Sequence, residues 1–159
     1  MSGPTARSIV FGVIVDFITP HDDDRVCVMR ASMPPGVTVP LHSHDDFEDF
    51  YILAGSYQIL VEGDDGMEWR DAHAGEYVRV PGGAPHALRN VSEETAVDLI
   101  ITTARVGDFF REVGRPVGSP PPTAQDMADF AATASRYGYW LATPEENAAV
   151  GITASILTT

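Results

Sequence analysis

Apolar and polar residues alternate with a two-residue period along most of the chain from Ser8 to about Thr103. That period belongs to strands with one buried face. "SIVFGVIVDFIT" reads as one strand and "PHDDD" as a turn. "RVCVMRASM" is a second strand, stopped by Pro34-Pro35-Gly36. "VTVPLHSH" is extended, and Pro40 predicts an edge or an irregular strand there. "EDFYILAGSYQILVEG" is strand-rich, with Gly55 as a bend or bulge, and "GDDG" turns it into "MEWRDA" as a hairpin. "GEYVRV", the turn "PGGAP", "HALRNV" and "AVDLIITTA" complete the series. Many short strands at even spacing, with no long helical period between them, predict antiparallel strands in a sandwich or barrel.

The pattern changes after Arg105. "VGDFFREVG" predicts one or two helical turns, and "GRPVGSPPP" a linker or surface crossing. In "TAQDMADFAATASRYG", Met127, Phe130, Ala131, Ala134 and Tyr137 share one helical face. Thr123 is placed to cap that helix, with Asp126 three residues on and Gly138 as the stop. "TPEENAAV" repeats the start signal, with Thr143 as cap, Pro144 at the first helical position and Glu146 at the third. "GITASILTT" predicts nothing firm. The expected organisation is a β-domain over 1–113, a Pro/Gly-rich linker over 114–123, and a helical tail over 124–159. The tail's apolar stripe is expected to pack on the barrel or on a partner subunit.

Composition narrows the function. A chain of 159 residues, 44% hydrophobic and 21% charged, suits one soluble domain. A formal net charge of −13 repels phosphate backbones and anionic lipid, so neither nucleic acid nor a membrane surface is an expected partner. All ten basic residues are arginine, which excludes Schiff-base lysine chemistry and a P-loop. Cys27 is the one cysteine, so an intrachain disulfide and a cysteine-rich metal site are excluded; it reads as a small strand residue. The run at Ser8 has only Arg7 before it and contains Asp16, unlike a signal-peptide core, and no apolar run reaches the roughly 20 residues of a membrane span. A cytoplasmic protein is expected.

The chemistry concentrates in "HSHDDFEDF". In a strand, His42 and His44 point to one side and can reach one ion. Asp45-Asp46 is turn chemistry. In the strand that follows, Glu48 shares a face with Phe50 and Ile52, while Asp49 shares the other with Tyr51 and Leu53. An inward carboxylate needs a cation or donors, which favours Glu48 over Asp49. Asp49 is expected to face outward. Later, "GEYVRVPGGAPHALRN" leads a strand through a tight turn to His86, which can add a third nitrogen. His21 and His73 are expected in solvated turns. Phe47, Phe50, Tyr51, Tyr57 and Trp69 could line an aromatic pocket, but core or interface packing is the simpler reading for each, and the "DFF" at 108–110 is placed to cap the barrel mouth.

These two stretches resemble the two motifs of the cupin superfamily. Gly36, His42, His44, Glu48 and Gly55 fit G-x5-H-x-H-x3-E-x6-G. Gly75, Pro81, Gly83, His86 and Asn90 fit G-x5-P-x-G-x2-H-x3-N. Nineteen residues lie between them, as in small single-domain cupins. Each matched position lowers the odds of coincidence roughly tenfold. The resemblance covers Gly36 to Asn90 and leaves out everything after Arg105.

The resemblance implies an all-β fold, an antiparallel jelly-roll barrel, here with a C-terminal helical tail. It implies His42, His44, Glu48 and His86 as ligands of a divalent transition metal, with Fe, Mn, Ni, Cu, Co and Zn all acceptable to such a set. Asn90 is then structural. An octahedral ion would keep about two open positions. The leading expectation is a dioxygenase, similar to the quercetinase-like cupins, acting on a small organic and potentially aromatic substrate, with Glu48 doubling as proton acceptor. The alternatives are a redox-silent isomerase, lyase or hydrolase, and a non-catalytic small-ligand-binding cupin. A homodimer is expected from the family habit of pairing barrel edges.

Overall fold

The computed structural model describes residues 7–153. Twelve strands and three helices follow in order. The strands before the first helix are β1 (Ser8–Val10), β2 (Val13–Phe17), β3 (Val26–Met33), β4 (Thr38–Ser43), β5 (Glu48–Ala54), β6 (Ser56–Gly63), β7 (Gly66–His73), β8 (Tyr77–Val80), β9 (His86–Arg89) and β10 (Ala96–Thr103). Then come α1 (Ala104–Val113), β11 (Arg115–Pro116), α2 (Ala124–Arg136), β12 (Trp140–Leu141) and α3 (Pro144–Ala149).

The strands form two antiparallel sheets. One is ordered β11-β1-β2-β3-β10-β5-β8 and the other β12-β4-β9-β6-β7. Alternation along β3 and β10 places every second residue inward, so Cys27, Met29, Ala31 and Met33 meet Ala96 and Ile100 in the core. Phe50, Ile52, Ile59 and Leu88 fill the space between the sheets. This is the jelly-roll arrangement, although the two sheets do not join into one closed ladder.

Gly55 is where the chain crosses from one sheet to the other. It has φ +70, and a Cβ there would lie 2.8 Å from the Thr95 carbonyl oxygen, so both backbone hand and space require glycine. The bend expected at that position is present. The irregularity expected at Pro40 is present too, as a register shift between Val39 and His42 against β9.

The first strand departs from expectation. "SIVFGVIVDFIT" is two strands, because Phe11 and Gly12 both take positive φ (49 and 82) and fold β1 back on β2, pairing Ser8 with Val15. The turn puts the Phe11 ring edge-on to Phe130 of α2, at 4.8 Å. Burial of that ring against α2 offsets the strain of a non-glycine residue at positive φ. The stretch read as one or two helical turns is also longer: α1 has ten residues, capped by the Thr103 hydroxyl, which accepts from the Val106 N–H.

The later segment packs on the barrel. Thr123 and Thr143 each complete a capping box, with Asp126 and Glu146. β12 pairs with β4, matching Leu141 to His42. Asn147 is fully buried; its Oδ1 accepts from the Leu41 N–H at 2.9 Å and its Nδ2 donates to the Ala142 and Thr143 carbonyls. Trp69 Nε1 donates to the Val150 carbonyl at 2.9 Å. Within "GRPVGSPPP", Arg115–Pro116 forms β11 and covers the edge of β1. Residues 154–159, most of the "GITASILTT" stretch, lie outside the described residues.

Candidate metal centre

His42 and His86 are direct cross-strand partners on β4 and β9, so one sheet supplies two imidazoles side by side. His44 follows two residues after His42, just beyond the end of β4. Glu48 opens β5 in the other sheet, held there by its pairing with Thr102 and by the Thr102 hydroxyl, which donates to the Phe47 carbonyl at 2.7 Å. The cluster therefore spans the gap between the sheets at one end of the barrel. One ligand atom from each of the four residues lies within 4.8 Å of all the others.

Tight backbone contact between two turns sets this approach. The Gly83 N–H donates to the His44 carbonyl at 2.7 Å, and a Cβ on Gly82 would collide with the Asp45 carbonyl oxygen. The turn before His86 thus rests on the turn after His44. Gly83 and Pro81 were marked by the motif; Gly82 was not.

The second ring nitrogens fix how the imidazoles are used. Nδ1 of His42 lies 2.7 Å from the Pro40 carbonyl, that of His44 2.8 Å from Asp46, and that of His86 2.9 Å from Ala84. A carbonyl only accepts, so each Nδ1 carries a proton and each Nε2 is the ring atom turned inward. His44 Nε2 sits 2.9 Å from Glu48 Oε2, and His86 Nε2 3.5 Å from the same oxygen. Nε2 of His86 is buried with no hydrogen-bond partner among the described residues. Three inward ring nitrogens around a buried carboxylate form a set that could hold a cation. A divalent ion fits such a set, and the nitrogen and oxygen donors suit a first-row metal.

Electrostatics agree with a cation-holding site. Burial opposes charge on Glu48, yet the hydrogen bond from His44, the 3.5 Å contact of His86 and their charges hold its carboxyl well below the usual range. Burial also disfavours imidazolium at His44, but the hydrogen bond and charge of Glu48 outweigh it and raise its pKa. His42 keeps some accessible surface facing the cavity; desolvation, then the charge of His86, push it down to about 3.

The cluster forms part of the wall of a cavity of about 180 Å³. Its remaining lining is mostly apolar, with Met33, Phe50, Leu88 and Ile100 from the barrel. Phe109 and Phe110 of α1 line it, in keeping with the role expected for "DFF", and Phe130 of α2 joins them. Tyr139 stands beside the cluster, its ring centroid 4.8 Å from that of His44 and 4.2 Å from that of Phe109. Its buried hydroxyl has no partner among the described residues. Burial, then the negative charges of Glu48 and Asp46, keep this phenol protonated by raising its pKa. Asp98 on β10 also lines the cavity and is 6% exposed.

Other expectations resolve as follows. Asp49 is buried rather than outward. It does lie on the opposite face from Glu48, but Tyr77 donates to it at 2.6 Å and Arg79 reaches within 3.8 Å, so β8 covers it. Asp45 is exposed, and Asp46 serves through its carbonyl and stands 3.7 Å from Arg105. His21 and His73 are exposed. Phe50 and Tyr57 are buried in the core, Phe47 and Tyr51 are exposed, and Trp69 stacks under Arg89 at 3.8 Å. Asn90 ties strand ends together: its Nδ2 donates to the Met33 and Glu94 carbonyls. Tyr139 and Asp98 were not anticipated.

Residues 29–102 match the family model described as a cupin domain. Over 70 residues the chain is 36% identical to dimethylsulfoniopropionate lyase DddQ of Ruegeria pomeroyi, which covers 44% of this chain and only 33% of that protein. Among solved structures, a predicted oxalate decarboxylase from Thermotoga maritima aligns with a TM-score of 0.55 at 22% identity, covering 64% of this chain and 94% of the other. The polyketide cyclase RemF from Streptomyces resistomycificus aligns with a TM-score of 0.53 at 21% identity, over 58% and 66% of the two chains. At such identities the structural likeness concerns the fold. The family match and the double-sheet architecture converge: residues 29–102 match a cupin domain, and the chain has the cupin fold.

Proposed function

We propose that this protein is a divalent-metal-dependent enzyme acting on a small organic molecule held in the barrel cavity, and that its reaction is redox-silent, of the lyase or isomerase kind. The observation that carries the reading is the convergence of three inward Nε2 atoms and Glu48 on the wall of an apolar cavity. The backbone carbonyls behind each ring pre-orient that set.

A first-row ion bound by His42, His44, Glu48 and His86 would act as a Lewis acid, with about two positions open to substrate or water. The chain's own groups do the rest. Tyr139 brings a protonated phenol to the same cavity, able to donate to a substrate oxygen. The aromatic walls exclude water from the reacting bonds. Glu48 Oε2 is engaged by both His44 and His86, so the proton-acceptor role belongs to a state in which that contact loosens. The 36% identity to a lyase over 70 residues supports this class over the dioxygenase expected first. Phe50, Phe109 and Phe130 in the cavity wall support the second reading, a dioxygenase with an aromatic substrate.

Oxygen dependence separates the two. Metal-loaded protein is incubated with candidate substrates in air and under nitrogen, with zinc as one of the metals. Turnover under nitrogen, retained with zinc, supports the lyase reading. Turnover that requires oxygen and stops with zinc overturns it in favour of the dioxygenase.

A further inference from the structure

Asp98 is a carboxylate in surroundings that do not suit one. It lies on the inward face of β10, between Ala96 and Ile100, with Ala31 and Ile52 as its cross-strand partners. Oδ2 accepts from the Tyr57 hydroxyl at 2.6 Å. Oδ1 is buried with no hydrogen-bond partner among the described residues, and the side chain lines the cavity. An unsatisfied buried acceptor costs about 1–3 kcal/mol, more if charged, and a donor on a ligand at Oδ1 would remove that cost.

The position of Asp98 relative to the cluster is fixed by register. Thr102 pairs with Glu48, and Asp98 lies four residues back along the same strand. At ~3.3 Å per residue that is a rise of about 13 Å. The cavity thus has two polar poles, the four-residue cluster and Asp98, which Tyr57 holds from behind the wall, with apolar lining such as Phe50 and Ile100 besides.

We propose that Asp98, positioned by Tyr57, is a second anchor in the cavity and binds an N–H or O–H donor, an ammonium or alcohol, on the substrate. The inference deepens the functional reading above and rests on the cavity being the substrate site. The substrate class that follows has one end that ligates a metal, an apolar middle and a donor at the far end.

The test uses full-length, metal-loaded protein with benzylamine and toluene as matched probes, of a size that an apolar cavity of ~150 Å³ accommodates. Affinities are measured by calorimetry or by protein-observed NMR at pH 8.5. Wild type should prefer benzylamine at least tenfold, and Asp98→Asn should reduce that preference by at least fivefold with toluene affinity retained. Coordination of the probe to the ion contributes equally to both proteins and cancels in the comparison. Tyr57→Phe removes the donor that positions Asp98, so it should lower the preference toward that of Asp98→Asn. An unchanged preference in Asp98→Asn, or an unchanged or larger one in Tyr57→Phe, overturns the proposal. Metal content is measured on the same samples, so a failure of metal binding is seen separately from a failure of the anchor.

Discussion

His44 faces Glu48 through Nε2 at 2.9 Å and the Asp46 carbonyl through Nδ1 at 2.8 Å, so one imidazole is gripped from both sides within a five-residue loop. The backbone contact orients the ring, and that orientation turns Nε2 toward the carboxylate. Much of the site's behaviour follows from that one relationship and from the turn that brings His86 alongside.

Gly82 holds the two turns together. A Cβ there would run into the Asp45 carbonyl oxygen, which is backbone and cannot swing away. Gly82→Ala should cost about 1–3 kcal/mol of stability and lower bound metal by separating His86 from His44. Thermal unfolding and metal analysis of the one variant check both effects.

Asp98 makes stability depend on pH. Burial, offset in part by the Tyr57 hydrogen bond and reinforced by the charge of Glu48, raises its pKa from 3.8 to about 7. The folded protein therefore keeps this proton where the unfolded chain has lost it. The stabilising effect is full below about pH 4 and is lost as pH rises to about 7. Asp98→Asn should be more stable than wild type at pH 8, by several degrees in Tm, with the advantage shrinking toward pH 4.5. Melting curves across that range test the sign.

Tyr139 has a buried hydroxyl without a partner among the described residues, so removing it should cost the fold little. Tyr139→Phe should melt at or slightly above the wild-type temperature and keep its metal, while turnover falls. A clear drop in Tm would mean that the hydroxyl is structurally engaged.

Asn147 is a clamp between the tail and the strand that carries His42. Its side chain satisfies one N–H and two carbonyls at full burial. Asn147→Ala should cost about 2–4 kcal/mol. Proteolysis should then cut the segment after Gly138 first, and mass spectrometry of the early fragments checks this.

The sequence made some of this legible and hid the rest for physical reasons. Glu48 could be read because strand parity aligns it with Phe50 and Ile52, and its burial agrees. The same parity aligns Asp98 with Ala96 and Ile100, a signal that was available and went unused. Asp49 misled because parity reports the face of a strand, and only the fold shows that Tyr77 and Arg79 lie over that face. Tyr139 carries no local signal. It reaches the cluster only because β12 pairs back on β4, about a hundred residues away along the chain. The break at Phe11 was hidden for a similar reason, since a positive φ there depends on packing against Phe130. The walls formed by Phe109, Phe130 and Tyr139 lie outside residues 29–102, so the family match speaks to the ligand set more than to what the cavity admits.

Metal content addresses the central claim most directly. The full-length protein, purified without added metal and then offered manganese, iron, cobalt, nickel or zinc, should hold close to one divalent ion per chain, as a single four-residue cluster allows. His42→Ala, His44→Ala and His86→Ala should each lower that content roughly tenfold or more. Full metal content in all three variants, or none in the wild type with any of the five ions, would contradict the account.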